Sequence, residues 1–357
     1  MIYLDNGSTT KLREEVLKFY TKVLTEDYFN PSSPHVGGLN TDNKIKKAKE
    51  TFLNLLDVHG DIIFTSGGTE ANNLAILGSS LDHVLTTKAE HLSVSCPIRK
   101  FAKKITYLDL DRGRIDMGQL KELLPGVSLV SLTHTHNETG LRHDINKMGE
   151  IIKNHSKAVF HVDGVAAFGK SPGNLSQIDL YSVSSHKIHG PKGVGALFVK
   201  KGVKIKPFLY GGDQQRKIRP GTENSTGILG FALAAELACK DMSKTAAYVT
   251  ALRKALINRL RINYILNEDD CPYVLNLSFP GQKGQVLVNA LSMENIYIST
   301  GSACSSKTDK NLLGHMGYPK EIWDSSVRIT FSGQNSVEES EKTAEALNRL
   351  IGNNNEE

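Results

Sequence analysis

Between about residues 60 and 200, short apolar runs alternate with longer stretches of helical spacing. The runs "DIIFTS" (61–66), "HVLTT" (83–87), "ITYLDL" (105–110), "VSLVSLTH" (127–134), "AVFHVD" (158–163), "LYSVSS" (180–185) and "GALFV" (195–199) have the length and β-branched content of strands. Residues 69–78, 91–104, 117–124 and 144–155 supply helices between them. Such alternation, with strands apolar throughout, predicts an α/β fold whose mostly parallel sheet is covered on both faces. Ligands in such sheets sit beyond the carboxyl ends of the strands. After about 240 the pattern changes to a helix (243–261), a strand (273–279), a helix (284–293), two strands (295–299 and 326–332) and a last helix (336–351). This predicts a smaller α+β unit. The extended "IYLD" at the start has no place in the large sheet and is expected to join that unit. The boundaries that follow are a large α/β domain over 13–242 and a small domain made of 1–12 plus 243–357.

With 357 residues, 39% of them apolar and 23% charged, the chain reads as an ordinary soluble globular protein with ample material for a core, long enough for one large domain and a smaller companion. A net charge of +5 is small for this length, and no basic block is interleaved with aromatics, so nucleic-acid binding is not indicated. The basic cluster "NKIKKAKE" (43–50) has the apolar spacing of a solvated helix face. No apolar run reaches a membrane span and "MIYLDNGSTT" lacks a signal pattern, so a cytoplasmic protein without membrane attachment is expected. Cys96, Cys239, Cys271 and Cys304 are far apart and show no metal-type pairing, as for reduced thiols. His134 and His136 lack an apparent third ligand, and no metal site is expected.

Three stretches carry chemistry. In "FTSGGTEANNLAI" (64–76) a strand runs through Gly67, Gly68 and Thr69 into a helix. Glycines allow close approach of a ligand, and the free N–H groups of a helix start attract an anion. A plain tight turn is the competing reading. In "HVDG" (161–164) Asp163 closes an apolar strand, where a carboxylate needs a cation, an N–H partner or a role as helix cap. In "VSSHKIHGPKGVGALFV" (183–199) Ser184, His186 and Lys187 stand at a strand end between apolar strands. Enclosure there would lower the amine's pKa and free it as nucleophile and base; a surface lysine is the alternative. An anion cradle, an acid and an activated lysine together are what pyridoxal 5'-phosphate requires.

With "IYLDNGSTT", "NPSSPH", "EHLSV", "HNETG", "RPGTEN", "STGSACSS" and "VRITFS" added in order along the chain, the sequence resembles the NifS/IscS-type cysteine desulfurases. These belong to the class V aminotransferase group of fold type I pyridoxal-phosphate enzymes. The resemblance implies a fold type I transferase with a large, mostly parallel sheet domain and a smaller α+β domain. It implies that Lys187 holds the cofactor and moves the Cα proton, that Asp163 faces the ring nitrogen, and that His91 stacks on the ring and assists proton transfer. Gly68, Thr69, Ser184 and His186 would form the phosphate site, with Thr222 reaching in from a second subunit of a homodimer. Asn137 would touch the substrate or the ring hydroxyl, and Arg328 would clamp the carboxylate of L-cysteine. Cys304, among glycine, alanine and serines, would take the sulfur as a persulfide and pass it to a sulfur-acceptor protein for iron–sulfur cluster assembly or for tRNA or cofactor thiolation. A thiol that travels needs small neighbours, although on its own stretch a packed, inert Cys304 is the ordinary expectation.

Three departures from the family pattern stand out. Ala166 occupies the place of a glutamine that hydrogen-bonds the cofactor. His136–Asn137 replaces a double asparagine, and "SSKTDKNLLGHMG" after Cys304 is short and lacks a proline. Two rival readings follow: a selenocysteine lyase or related lyase on the same fold, and a weakly active desulfurase-like scaffold kept open by Ala166.

Overall fold

The computed structural model describes residues 1–300 and 312–352. All seven sequence-derived strands of the first half form one sheet. Their spatial order is Gly60–Thr65, Gly195–Lys200, Leu180–Ser184, Val159–Asp163, Leu129–Thr133, Val84–Thr87 and Ile105–Leu108. Gly195–Lys200 runs antiparallel to both neighbours, and every other pair is parallel. Register then places the carboxyl ends on one edge: Thr133 pairs with Asp163, Asp163 with Ser182, and Gly195 lies opposite both Ser184 and Thr65. A Cβ on Gly195 would fall 2.6 Å from the Gly67 carbonyl carbon, so only glycine lets the turn after Thr65 fold over this edge.

The expected strand 105–110 is broken. It stops at Leu108, and Leu110–Asp111 turns back on Arg114–Ile115. Arg112 and Gly113 both have positive φ, 47° and 84°, the two-residue turn whose twist matches a hairpin.

Helices cover both sheet faces. Phe52, in the helix Val36–Leu56, contacts Phe231 of the helix Ser225–Lys240 at 4.7 Å between ring centroids and Phe64 of the sheet at 5.9 Å. The basic stretch 43–50 lies within the first of these helices. Lys46 and Lys47 are exposed while Ile45 and Ala48 are buried, so the solvated face has an apolar back.

A second core holds Leu4, Leu252, Leu277, Phe279, Ile329 and Leu347. It is built on an antiparallel sheet of Ile265–Glu268, Val274–Ser278 and Ser326–Thr330, against which the helices Met242–Arg259 and Val337–Gly352 pack. Ile2–Tyr3 pairs in parallel with Ile296–Tyr297, which brings the chain start into this second core. Among the described residues, no helix is long and apolar enough to cross a membrane.

Candidate active site

A cavity of about 640 Å³ opens at the carboxyl edge of the large sheet. Lys187, Asp163, His91, Gly68, Thr69, Ser184, His186, Asn137 and Arg328 all border it. Thr222 does not; it is exposed in the stretch after Pro220, apart from this chain's cavity. Cys304 lies outside the described residues. Ala166 lines the cavity with a methyl group that can donate no hydrogen bond.

One end of the cavity is an anion cradle. The helix Gly68–Leu77 begins there, and Ala71 N–H already returns to the Gly67 carbonyl, leaving the earlier N–H groups free. Gly67 has φ +158° and no atom within 4 Å of where a Cβ would stand. A Cβ on Gly68 would sit 3.4 Å from the Ser184 Cβ, and the Ser184 hydroxyl is buried without a hydrogen-bond partner. A buried hydroxyl left over beside a helix start fits a phosphate group. Burial pushes the His186 imidazole down to about 4, with the Lys187 charge adding to the effect, so the ring is neutral. Arg219 anchors the cradle from behind, its Nε 2.9 Å from Glu70 Oε1.

At the other end lies Asp163, 6% exposed at the end of its strand. Oδ2 accepts a hydrogen bond from Asn72 Nδ2 (2.8 Å), and Oδ1 accepts one from the Val165 N–H (3.0 Å). These neutral donors hold the carboxylate but do not neutralise it, and a protonated ring nitrogen would. The same Asn72 Nδ2 donates to Ser93 Oγ at 2.9 Å, and Ser93 Oγ is 2.7 Å from His91 Nδ1. Because Nδ1 also accepts from the Ser93 N–H, the neutral imidazole carries its proton on Nε2. Asn72 and Ser93 escaped the sequence reading, although "TEANN" and "EHLSV" hold them.

Lys187 follows the strand Leu180–Ser184 in a single 3-10 turn. Its Nζ donates to the carbonyls of Gly7 and Ser8. Burial, then the charges of Lys170 and Arg328, lower the amine to about 7. A lysine with that pKa is available as a neutral nucleophile and base near neutral pH.

Arg328 reaches the cavity from the middle of the strand Ser326–Thr330, in the second core. One terminal nitrogen lies 2.8 Å from both Asp5 Oδ1 and Ser8 Oγ, the other donates to the Asn137 carbonyl at 3.2 Å, and Nε has no partner. The guanidinium is thus held in place by three protein groups while retaining unspent donor capacity. Asp5 is a functional neighbour that the sequence reading did not single out.

The strand ends at Thr133, so His134 and His136 both follow it rather than standing on it. His134 Nδ1 contacts the Tyr181 hydroxyl and His136 Nε2 the Ala89 carbonyl. Burial drives both rings down to about 3, which suits packed neutral imidazoles.

Glu90, beside His91, is 2% exposed. Oε1 accepts from Thr87 Oγ1, Oε2 has no partner, and burial followed by the Asp163 charge raises its pKa to about 8. Between 4.5 and about 8 the folded state keeps a proton that the unfolded chain releases, so stability falls as pH rises through that window. Glu90→Gln, which has no proton to lose, is expected to be less pH-sensitive. Urea unfolding at several pH values should show its stability relative to the parent growing from about pH 5 to about pH 8. Parallel curves would mean that Glu90 ionises normally.

The fold and this site together define a pyridoxal-phosphate enzyme of fold type I. The aminotransferase class-V family model matches residues 2–342. A protein named cysteine desulfurase IscS from Dictyoglomus turgidum is 38% identical over 98% of this chain and 94% of its own length. A solved structure described as a NifS-like protein superposes with TM-score 0.92 at 31% identity, covering 98% of this chain and 99% of that one. Another, described as SspA in complex with cysteine, superposes with TM-score 0.82 at 28% identity over 94% of this chain and all of that one. The chain belongs to the class-V aminotransferase family, among its NifS/IscS-type cysteine desulfurases.

Proposed function

We propose that this protein converts L-cysteine and the Cys304 thiol into L-alanine and a Cys304 persulfide. The observation that carries the reading is one cavity holding an amine lowered to about 7, a buried carboxylate without an ion pair among the described residues, a phosphate-type cradle and a buried arginine. Relatives named cysteine desulfurase supply the reaction class.

Pyridoxal phosphate supplies an electron sink for charge at the substrate Cα and Cβ. The cradle at Gly68, Thr69 and Ser184 would hold its phosphate, with His186 beside it. Asp163 would keep the ring nitrogen protonated, oriented by Asn72. Lys187, neutral in part at pH 7, would take the Cα proton and return it, and His91 would donate from Nε2. Arg328 would bind the substrate carboxylate through its unspent donors, next to Asn137. At sulfur, the Cys304 thiolate attacks the substrate sulfur. The S–S bond forms as the C–S bond breaks, and protonation of the carbon skeleton completes alanine.

The reading extends to a homodimer in which Thr222 completes the partner's phosphate site, to a cytoplasmic location, and to transfer of the persulfide to an acceptor protein for iron–sulfur or thiolation chemistry. It also keeps the division into domains over 13–242 and over 1–12 plus 243–357, which the two separate hydrophobic cores support.

Incubation of the purified holoprotein with L-cysteine and a reductant, with alanine and sulfide both quantified, tests the reading. Stoichiometric products from the parent and none from Cys304→Ala are expected. Product from both proteins would indicate a lyase that does not use the thiol. Product from neither, with cofactor retained, would make the chain a scaffold.

A further inference from the structure

A second cavity, of about 750 Å³, lies next to the first and shares no lining residue with it. Their walls are continuous along the chain. Gly7–Thr9, His186 and Lys187 border the active site, whereas Thr10–Leu12, Ile188 and His189 border the second cavity. The rest of its wall joins the two cores, with Ala234 and Ala238 from the helix Ser225–Lys240 and Tyr273 and Phe331 from the other core.

Lys170 lines this cavity, with its Nζ 5.8 Å from the centre of the Tyr273 ring. Among the described residues no carboxylate pairs with it, and no carboxylate charge supports its ionised form. The acids on the same wall are already engaged. Asp241 and Glu15 hold Arg13 at 2.8 and 3.1 Å, and Glu14 holds Lys18 at 2.6 Å. An ammonium half withdrawn from water without a counter-charge costs free energy, and a methionine of similar length would pack there without that cost. A ligand carrying the opposite charge would offset that cost. Burial lowers the Lys170 amine only to about 8, so it still carries charge at neutral pH. The rest of the wall selects the ligand further. Of the other cations on the wall, Lys11 and Lys244 are exposed and Arg13 is held by Asp241 and Glu15, so Lys170 is the withdrawn charge a carboxylate would meet, and Leu12, Ile188, Ala234 and Phe331 offer apolar surface to whatever carries it.

We propose that this cavity is a second ligand site, which takes a small organic carboxylate with an apolar body, its carboxylate group against the Lys170 ammonium. A ligand there touches both cores and the two residues that follow Lys187, and so stands where it can bias the placement of the cofactor lysine.

Hexanoate is the probe, titrated calorimetrically into the holoprotein, with 1-hexanol as the neutral control. The readout is binding rather than turnover, so its result is independent of the desulfurase reading. Saturable hexanoate binding is expected, with none for hexanol, and Lys170→Met should weaken it about tenfold or more, the loss typical of a charge-assisted contact. Ala238→Leu, which narrows the cavity and leaves Lys170 in place, should weaken it as well. Lys170→Met should melt no lower than the parent, because it removes an uncompensated charge. Three results would each overturn the proposal: no saturable binding, binding unchanged by Lys170→Met, or a marked drop in the melting temperature of Lys170→Met, which would make the lysine structural. Weakening by Arg328→Lys with none by Lys170→Met would place hexanoate in the active site and overturn it too.

Discussion

Lys187→Ala is expected to lose desulfurase activity by at least about 10³-fold, the range for removing a group that serves as both nucleophile and base. Lys192 also borders the cavity but is exposed, and Lys170 lines the neighbouring cavity, so no second amine takes over. The physical basis is the environment of the amine. Burial disfavours the ammonium, and Lys170 and Arg328 add like charge, which brings the group from 10.5 to about 7. The direction of the pH effect follows. Above about pH 7 the amine is neutral and reactive, and below it protonation blocks attack. Labelling of the cofactor-free protein with an amine-selective reagent, read at the Lys187 peptide by mass spectrometry, should therefore show a midpoint near 7. A midpoint near 10.5 would show that the amine is solvated and would remove the basis of its assigned role.

The second large effect is expected at Arg328. Arg328→Met should raise the KM for L-cysteine by roughly 100-fold, with a smaller change in kcat, because a charge-assisted pair with the substrate carboxylate is made before the chemical step. Arg328→Lys should recover little, since an ammonium cannot reproduce the planar fork. The same substitution should lower stability. Asp5, which is one-fifth exposed, loses its only ion pair among the described residues, at a cost of roughly 2 kcal/mol, below the range for a fully buried pair. The double variant Arg328→Met with Asp5→Asn separates the two roles. It should regain stability in urea unfolding and keep the high KM. A normal KM in Arg328→Met would mean that the substrate carboxylate is bound elsewhere.

Much of the architecture was legible because local physics and global fold agree. Each strand of the large sheet is a compact apolar run between polar breaks, as strands buried on both faces must be. The helix Ser225–Lys240 was missed for a related reason. It is buried almost all round, so it shows no amphipathic period. The strand Ile265–Glu268 was missed because Ile265 and Leu266 are exposed and give no alternation. The hairpin at Arg112–Gly113 shows as a turn in the sequence, yet the apolar run across it suggested a single strand.

Among the site residues, Lys187, Asp163, Gly68, Thr69 and Ser184 could be found because they close or follow strands, and ends of parallel strands share an edge. The partners that hold them could not be found in this way. Asn72, Ser93 and Glu90 are polar residues on helices or turns, and nothing local marks them as facing Asp163 and His91. The sequence by itself determined the strand–helix alternation and the sheet edge at which Lys187, Asp163 and Ser184 gather. The tertiary structure alone decided that Asp5 meets Arg328 across 323 residues, that desolvation brings the Lys187 amine down to about 7, and that Lys170 is left without a counter-charge among the described residues. Periodicity and turn chemistry act over a few neighbouring residues and are written in their order. Desolvation and charge pairing depend on which distant segments the packed cores bring together, and no stretch of sequence carries that information alone.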